Sequence, residues 1–329
     1  MDEEKNTQPV TQEVEAKPGR SLWGDAFHRL RKDKFAVMSF VIIVIYLFVA
    51  ILSGLDWIAY NYDKQHFKRD KNGKETTELD DYSKPSLGHW RKTDVPGRDV
   101  YIPGHLLGTD VQGRDVFQRV VQGTWISLYV ALIMSMIYIV IAVFLGALAG
   151  YFGGWVDDLI QWFYQTTASI PGLLLIIALT FVLGKGLGNV AIALGVVGWV
   201  GLCRLMRAEF LKHKGRDYVL AARAQGAGSF RIMFRPILPN TFHIVIISFS
   251  LGFVNAIMGE VTLTFIGLGA KPEQPSWGRM ISDARAELAR DPAVWWPIVG
   301  ATTGMFIVCL AFNILGDALR DALDPKLKE

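Results

Sequence analysis

Six apolar runs limit what this 329-residue chain can fold into. They are Phe35 to Leu55, one within Trp125 to Phe152, one within Leu159 to Leu183, one between Lys185 and Arg204, one between Phe242 and Gly269, and Ala293 to Gly316. A helical crossing of a bilayer takes ~20 apolar residues, so each run is long enough. Barrel strands are only ~10 residues long and alternate in polarity, which these runs do not. The expected fold class is therefore an all-α integral membrane protein with six spans, with the lipid bilayer as its solvent. Half of the residues are hydrophobic (51%), in keeping with that class.

Basic residues in short flanks orient such a chain. Arg29, Arg31, Lys32 and Lys34 precede the first run. Arg204, Arg207, Lys212, Lys214, Arg216, Arg223, Arg231 and Arg235 follow the fourth, against Glu209 and Asp217. Arg320, Lys326 and Lys328 follow the sixth. An even number of crossings separates the three regions, so all of them, and both termini, are expected in the cytoplasm. The first run lacks the short core and cleavage site of a removable signal and reads as retained. Residues 1–20 are polar and without period, and read as disordered. The expected organisation is a cytosolic tail (1–34), a first helix (35–55) and an external segment (56–124). A five-helix core (125–316) carrying the 207–240 loop and a cytosolic tail (317–329) complete it. Cys203 and Cys309 lie at or inside apolar runs and read as buried free thiols.

The external segment shows no clear period over 56–104. After it, Thr109 or Asp110 is a candidate helix cap. Val116, Phe117, Val120 and Val121 then form an apolar stripe opposite Arg114, Asp115, Gln118 and Arg119. That pattern predicts an amphipathic helix along the outer interface, or an ordinary loop helix packed on the bundle. Pro171 interrupts the third span, as a packing kink or as a hinge used in transport. Glu260 is the one ionisable residue between His243 and Lys271. An intramembrane carboxylate is a functional candidate, yet this one falls near the outer interface, where reaching water is an equal reading.

No chemistry is legible. There is no phosphate loop, and the glycines of GKGLG (184–188) lie between spans as a turn. No His, Cys or carboxylate spacing suits a metal, and no hydrolase elbow is present. The chain is expected to be no enzyme, to bind no cofactor and to have no nucleic-acid partner.

The loop DYVLAARAQGAGSFRIMFRPILPN, Asp217 to Asn240, stands apart. It predicts two short helices joined at Gly226, Ala227 and Gly228 and stopped before Pro236 and Pro239. Ala221, Ala222, Ala224 and Gly226 leave the first helix nearly bare on one side, so another surface can approach closely. The plainer alternative is a hairpin that only solvates the bundle.

This loop resembles the cytosolic coupling motif of ABC importer permeases: Glu-Ala-Ala, three residues, Gly, then Leu-Pro. Ala221, Ala222, Gly226, Leu238 and Pro239 match it, and Leu220 stands where the motif has Glu. GTDVQGRDVFQRVVQGTWISL before the second span is similar to the external signature of one subfamily, departing at Gln118 and at Thr124-Trp125. EVTLTFIGLGAKPEQPSWGRM (260–280) and NILGDALRDALDPK (313–326) resemble two further signatures. The subfamily is the C-type permease subunit of oligopeptide and dipeptide ABC importers. The resemblance implies the transmembrane domain of a type I ABC importer with six helices. It implies a homologous B-type permease, two cytosolic ATPase subunits that use ATP and Mg, and an external solute-binding protein. The bacterial cytoplasmic (inner) membrane is the implied location. Asp217, Tyr218, Ala221, Ala222, Gly226, Leu238, Pro239 and Asn240 are the implied ATPase-coupling residues. Glu260, Pro171 and Trp277 are candidates for the pathway or outer gate. The implied cargo is of the dipeptide or oligopeptide class; nickel or another small solute is the alternative on the same machinery. An ion-coupled secondary transporter is the reading from a different class. It predicts paired buried ionisable groups and inverted repeats.

Overall fold

The structure is a computed structural model that describes residues 22–69, 75–91, 100–102 and 104–323. The 1–20 stretch, Lys326, Lys328 and parts of the 60–104 insert lie outside the described residues.

A short helix α1 (Leu22–Lys32) leads into the first span, α2 (Lys34–Gly54). Asp33 starts α2 by accepting from Phe35 N at 2.8 Å and Ala36 N at 3.2 Å, the usual remedy for orphan N–H groups. Two small antiparallel hairpins follow, β1 (Phe67–Arg69) with β2 (Glu75–Leu79) and β3 (His89–Arg91) with β4 (Val100–Ile102). Strands of three to five residues are too short to leave a period in the sequence.

The second span, α3, runs from Val116 to Phe152 without a break over 37 residues, about 55 Å at ~1.5 Å per residue. The expected interfacial helix is thus the first turns of a spanning helix, not a separate element. The third span is two helices, α4 (Gly154–Ser169) and α5 (Gly172–Leu183), bent by 91°. Ile170 is extended (φ −86°, ψ 132°), because a residue before proline is barred from helical backbone. Pro171 therefore breaks the helix outright. The fourth is α6 (Leu187–Gly198) running into α7 (Val200–His213). The chain has five helices long and apolar enough to cross a membrane, or six with the bent pair as one span.

The cytosolic-loop reading needs one correction. α8 (Asp217–Ala224) is a separate helix, but the second arm is not stopped by its prolines. α9 (Ser229–Ile232) passes through a π-helical turn at Met233–Ile237 straight into α10 (Leu238–Phe265). Pro236 lacks an N–H, and its ring would strike the carbonyl four residues back in a regular helix. The wider turn avoids that clash, with Leu238 N reaching Met233 O. Pro239 follows directly on that wide turn, at the start of α10. α11 (Trp277–Ala284) and the last span, α12 (Trp296–Leu323), complete the chain.

α3 is the hub, packed on α2, α6, α7, α10 and α12. Its approach to α7 is set by two glycines one helical turn apart. A methyl on Gly146 would lie 2.7 Å from Cys203 O and Met206 Cβ; one on Gly150 would lie 2.5 Å from Arg207 O. This is a G-x-x-x-G contact, readable in GALAG at 146–150 but not singled out by hydropathy. On its other side Tyr138 lies against Gly252 and donates its hydroxyl to Ser248 O at 2.7 Å. Arg207 on α7 grips Asp157 on α4 through two bonds of 2.5 and 2.6 Å. Ser53 at the end of α2 bonds Gln122 near the start of α3, and α1 packs on the far end of α12. Cys203 is buried and Cys309 half-buried, both as free thiols.

Gly150→Leu is expected to cost about 3 kcal/mol by overpacking against a backbone that cannot retreat. A lowered thermal midpoint in detergent, larger than for Gly172→Leu where no atom lies within 4 Å, is the check.

Candidate functional site

Two regions at opposite ends of the bundle gather the candidate residues. The first is the loop around α8. Val219 is fully buried and pins α8 to the bundle. Ala222 and Ala227 pack beside it on the core. The helix ends in a left-handed turn: Gly226 N donates to Arg223 O at 2.9 Å and Ala227 N to Ala222 O at 3.1 Å. Gly226 has φ +79°, a conformation that glycine adopts without penalty. The glycine is thus demanded by the turn itself. The second arm is fastened by Ile232, Met233 and Ile237, none more than 1% exposed.

What remains faces outward. Asp217, Tyr218, Leu220, Ala221, Arg223, Ala224, Gly226 and Gly228 are exposed, whereas Ala222 is turned towards the core. Tyr218 OH lies 2.6 Å from His213 Nδ1, tying α8 to α7. Leu238 is half-buried, and Pro239 and Asn240 are exposed. Asn240 Nδ2 donates to Pro236 O at 2.7 Å and so satisfies a carbonyl beside the π turn. Phe152 at the end of α3 meets Phe230 with ring centroids 6.2 Å apart. The loop therefore sits at the same end of the bundle as α1 and the end of α12.

The second region surrounds the start of α3. Asp115, not Thr109 or Asp110, caps the helix, accepting from Gln118 N at 3.0 Å. Burial alone would raise its carboxyl, but hydrogen bonds from His105 (2.7 Å) and Gln118 hold it below the usual carboxylate range. Thr109 is fully buried and stitches the external segment together: its hydroxyl donates to Asp80 O at 2.6 Å and accepts from Ser83 N at 2.8 Å. Asp110 receives Arg114 Nε at 2.8 Å, and Arg119 Nε lies 3.7 Å from the same oxygen. Arg119 is only 2% exposed. Arg114, Asp115 and Arg119, set opposite the apolar stripe in the sequence, are thus parts of a buried ion cluster. The insert joins this cluster through Tyr82, whose N–H donates to Asp110 O at 3.3 Å and whose hydroxyl lies 3.2 Å from Glu287 Oε1 on the other side.

Glu260 lies close by on α10 and is wholly buried. Its oxygens accept from Thr264 Oγ1 at 2.8 Å and Ser127 Oγ at 3.3 Å, with the Ser276 hydroxyl as a third partner. Of the two equal readings of Glu260, the one in which it reaches water is overturned, because α3 and the segment leading into α11 close over it. Trp277 is also fully buried; its Nε1 donates to Val120 O at 3.1 Å and its ring lies against Gly123. Glu260 and Trp277 thus meet at one α3–α10–α11 junction. Pro171 does not join them and stays exposed at the α4–α5 bend.

Comparison with known proteins places this geometry. Residues 142–329 match the family described as binding-protein-dependent transport system inner membrane component. Residues 21–75 match the N-terminal TM domain of oligopeptide transport permease C. The dipeptide transport system permease protein DppC of Alkalihalophilus pseudofirmus is 34% identical over 308 residues, 94% of this chain and 91% of that one. The oligopeptide transport system permease protein OppC of Bacillus subtilis is 33% identical over 315 residues, 95% and 93% of the two chains. The glutathione transport system permease protein GsiD of Escherichia coli O6:H1 is 35% identical over 319 residues, 94% and 92% of the two chains.

Glu260→Gln, which can still bond the three hydroxyls, is expected to keep stability within about 1 kcal/mol and to keep transport. Glu260→Leu strands them and is expected to cost about 3 kcal/mol. Thermal unfolding beside an uptake assay checks both; lost uptake in a fully stable Glu260→Gln protein would assign the carboxyl a protonic role.

Proposed function

The chain belongs to the binding-protein-dependent transport system inner membrane components, and on that premise we propose that it is the C-type permease subunit of an ATP-driven peptide importer. The observation that carries this reading is the α8 loop. It is anchored by Val219 on the bundle, bare and basic outside, and continuous through α9 with a spanning helix. A loop that only solvated the bundle would need neither the anchor nor the bare face.

In this reading a homologous B-type permease completes the pathway, and two cytosolic ATPase subunits grip the coupling loops. The loop and both termini face the cytoplasm, and an external solute-binding protein delivers cargo to the opposite end. ATP and Mg belong to the ATPases, and this chain performs no chemistry. Closure of the ATPases displaces α8. The displacement passes into α9 and along the unbroken Ser229–Phe265 rod, about 55 Å long at ~1.5 Å per residue. The rod ends beside Glu260, Trp277 and the external ion cluster, so a push at one end shifts the mouth at the other.

Peptide cargo is supported by the names of the relatives, which cover dipeptides, oligopeptides and glutathione. The ion-coupled reading loses ground at Glu260: its bonding partners are hydroxyls, and among the described residues no second ionisable side chain bonds to it.

A mild-detergent pull-down from the native membrane is expected to bring a second permease, ATPase subunits and a solute-binding protein; recovery of the chain alone in several detergents would sink the proposal. Within that complex, Gly226→Ala adds backbone strain of about 1 kcal/mol at a positive φ and is expected to leave coupling intact. Gly226→Trp adds bulk on the exposed turn and is expected to abolish substrate-stimulated ATPase activity.

A further inference from the structure

Leu220 is a large aliphatic side chain left 49% exposed on α8. Its N–H bonds Arg216 O at 3.1 Å, so Arg216 lies one turn before it as the extended N-cap of α8, and Arg223 and Ala224 lie one turn after it on its own face. Arg216 and Arg223 are both exposed. Arg231 and Arg235 are exposed on the second arm. Among the described residues none of these four arginines forms an ion pair. Within residues 216–240 the one acid is Asp217, in the first turn of α8, where the helix N-terminus favours a carboxylate.

A face meant only for water would gain from Glu at this position. Such a carboxylate would reach Arg223 at helical spacing, for about 0.2–0.5 kcal/mol. Leucine gives up that pair and leaves apolar surface exposed on a face that carries an unpaired Arg223. Ala221, Ala224 and Gly228 lie beside it, and nothing comes within 4 Å of a methyl built on Gly226 or Gly228. A close-fitting protein surface uses that bareness. Lipid headgroups, which basic loops also attract, do not require it.

Resting on the coupling role above, we infer that Leu220 is the apolar anchor of this subunit in its ATPase, seated in an apolar pocket whose rim supplies carboxylates to Arg216 and Arg223. The recognition code of this docking element is thus aliphatic and basic, and an ATPase whose socket presents cations to a Glu-bearing helix does not fit it. An anchor buried in a desolvated pocket carries a large share of such a contact, while exposed charges around it give salt dependence.

The test uses the intact complex, purified through a tag on this chain, with retained ATPase measured across a salt series. Leu220→Met is expected to retain ATPase as the native chain does. Leu220→Glu gives Arg223 a partner within α8 and puts a charge in the pocket, and is expected to lower retention about ten-fold. The pair Arg216→Gln and Arg223→Gln is expected to flatten the salt dependence. Unchanged or increased retention with Leu220→Glu overturns the inference, as does salt-independent retention by the native chain. So does a Leu220→Glu complex that keeps its ATPase but loses affinity for phosphatidylglycerol vesicles, which would give the face to the membrane. A native preparation holding no ATPase at all is a different result, one that removes the coupling role itself.

Discussion

The close approach of α3 to α7 is the contact on which the rest of the bundle depends. In hydrocarbon, helices gain nothing from hiding apolar side chains from one another, so association rests on packing and on bonds between polar groups. Gly146 and Gly150 let the two backbones meet where any side chain would collide. With α7 fixed there, Arg207 reaches Asp157 and draws in α4, and Phe210 is sealed completely. The same helix seats α10 through Tyr138 and Gly252. α3 also carries the ion cluster on its first turns and meets Phe230 of the loop at its last, so the two ends of the bundle share one rigid member.

The spans were legible because length and polarity decide them in a bilayer. Their starts were not. Periodicity sets Arg119 opposite the apolar stripe, yet Asp110 and its neighbours make its burial tolerable, and a charge pattern alone does not reveal which face is covered. Pro236 and Pro239 read as stops because the sequence names the missing donors but not the backbone's answer. The answer here is a π turn and an amide from Asn240. Counting along the helix set Glu260 near the far end of its span, and α10 does end soon after it, at Phe265. Its cover, α11, is brought by a loop whose path no local pattern encodes.

The inner loop was the most legible part, because small residues and glycine in a helical context leave few alternatives. Even so, its alanines divide. Ala222 belongs to the packing against the core and Ala221 to the exposed face, a distinction that follows from Val219 being the anchor. Gly226 serves the turn first. Any role for it in docking is inherited from the bareness that the turn happens to leave.

The contacts along α3 and α7 also settle how the bent pair must run. Gly146 faces Cys203 and Met206, while Gly150, further along, faces Arg207 and Phe210. The two helices therefore advance in the same direction. α3 ends where α4 begins, and α6 must begin at the opposite end if α7 is to finish level with Phe152. Leu187 and Ala191 confirm that placement by packing with Ile126 and Val130 at the start of α3. Only α4 and α5 lie between those two ends of the chain. A hairpin that dipped into the bilayer and returned would leave the path unclosed. For all its right-angled bend, the pair has to carry the chain across, and parity alone makes it the third crossing of six.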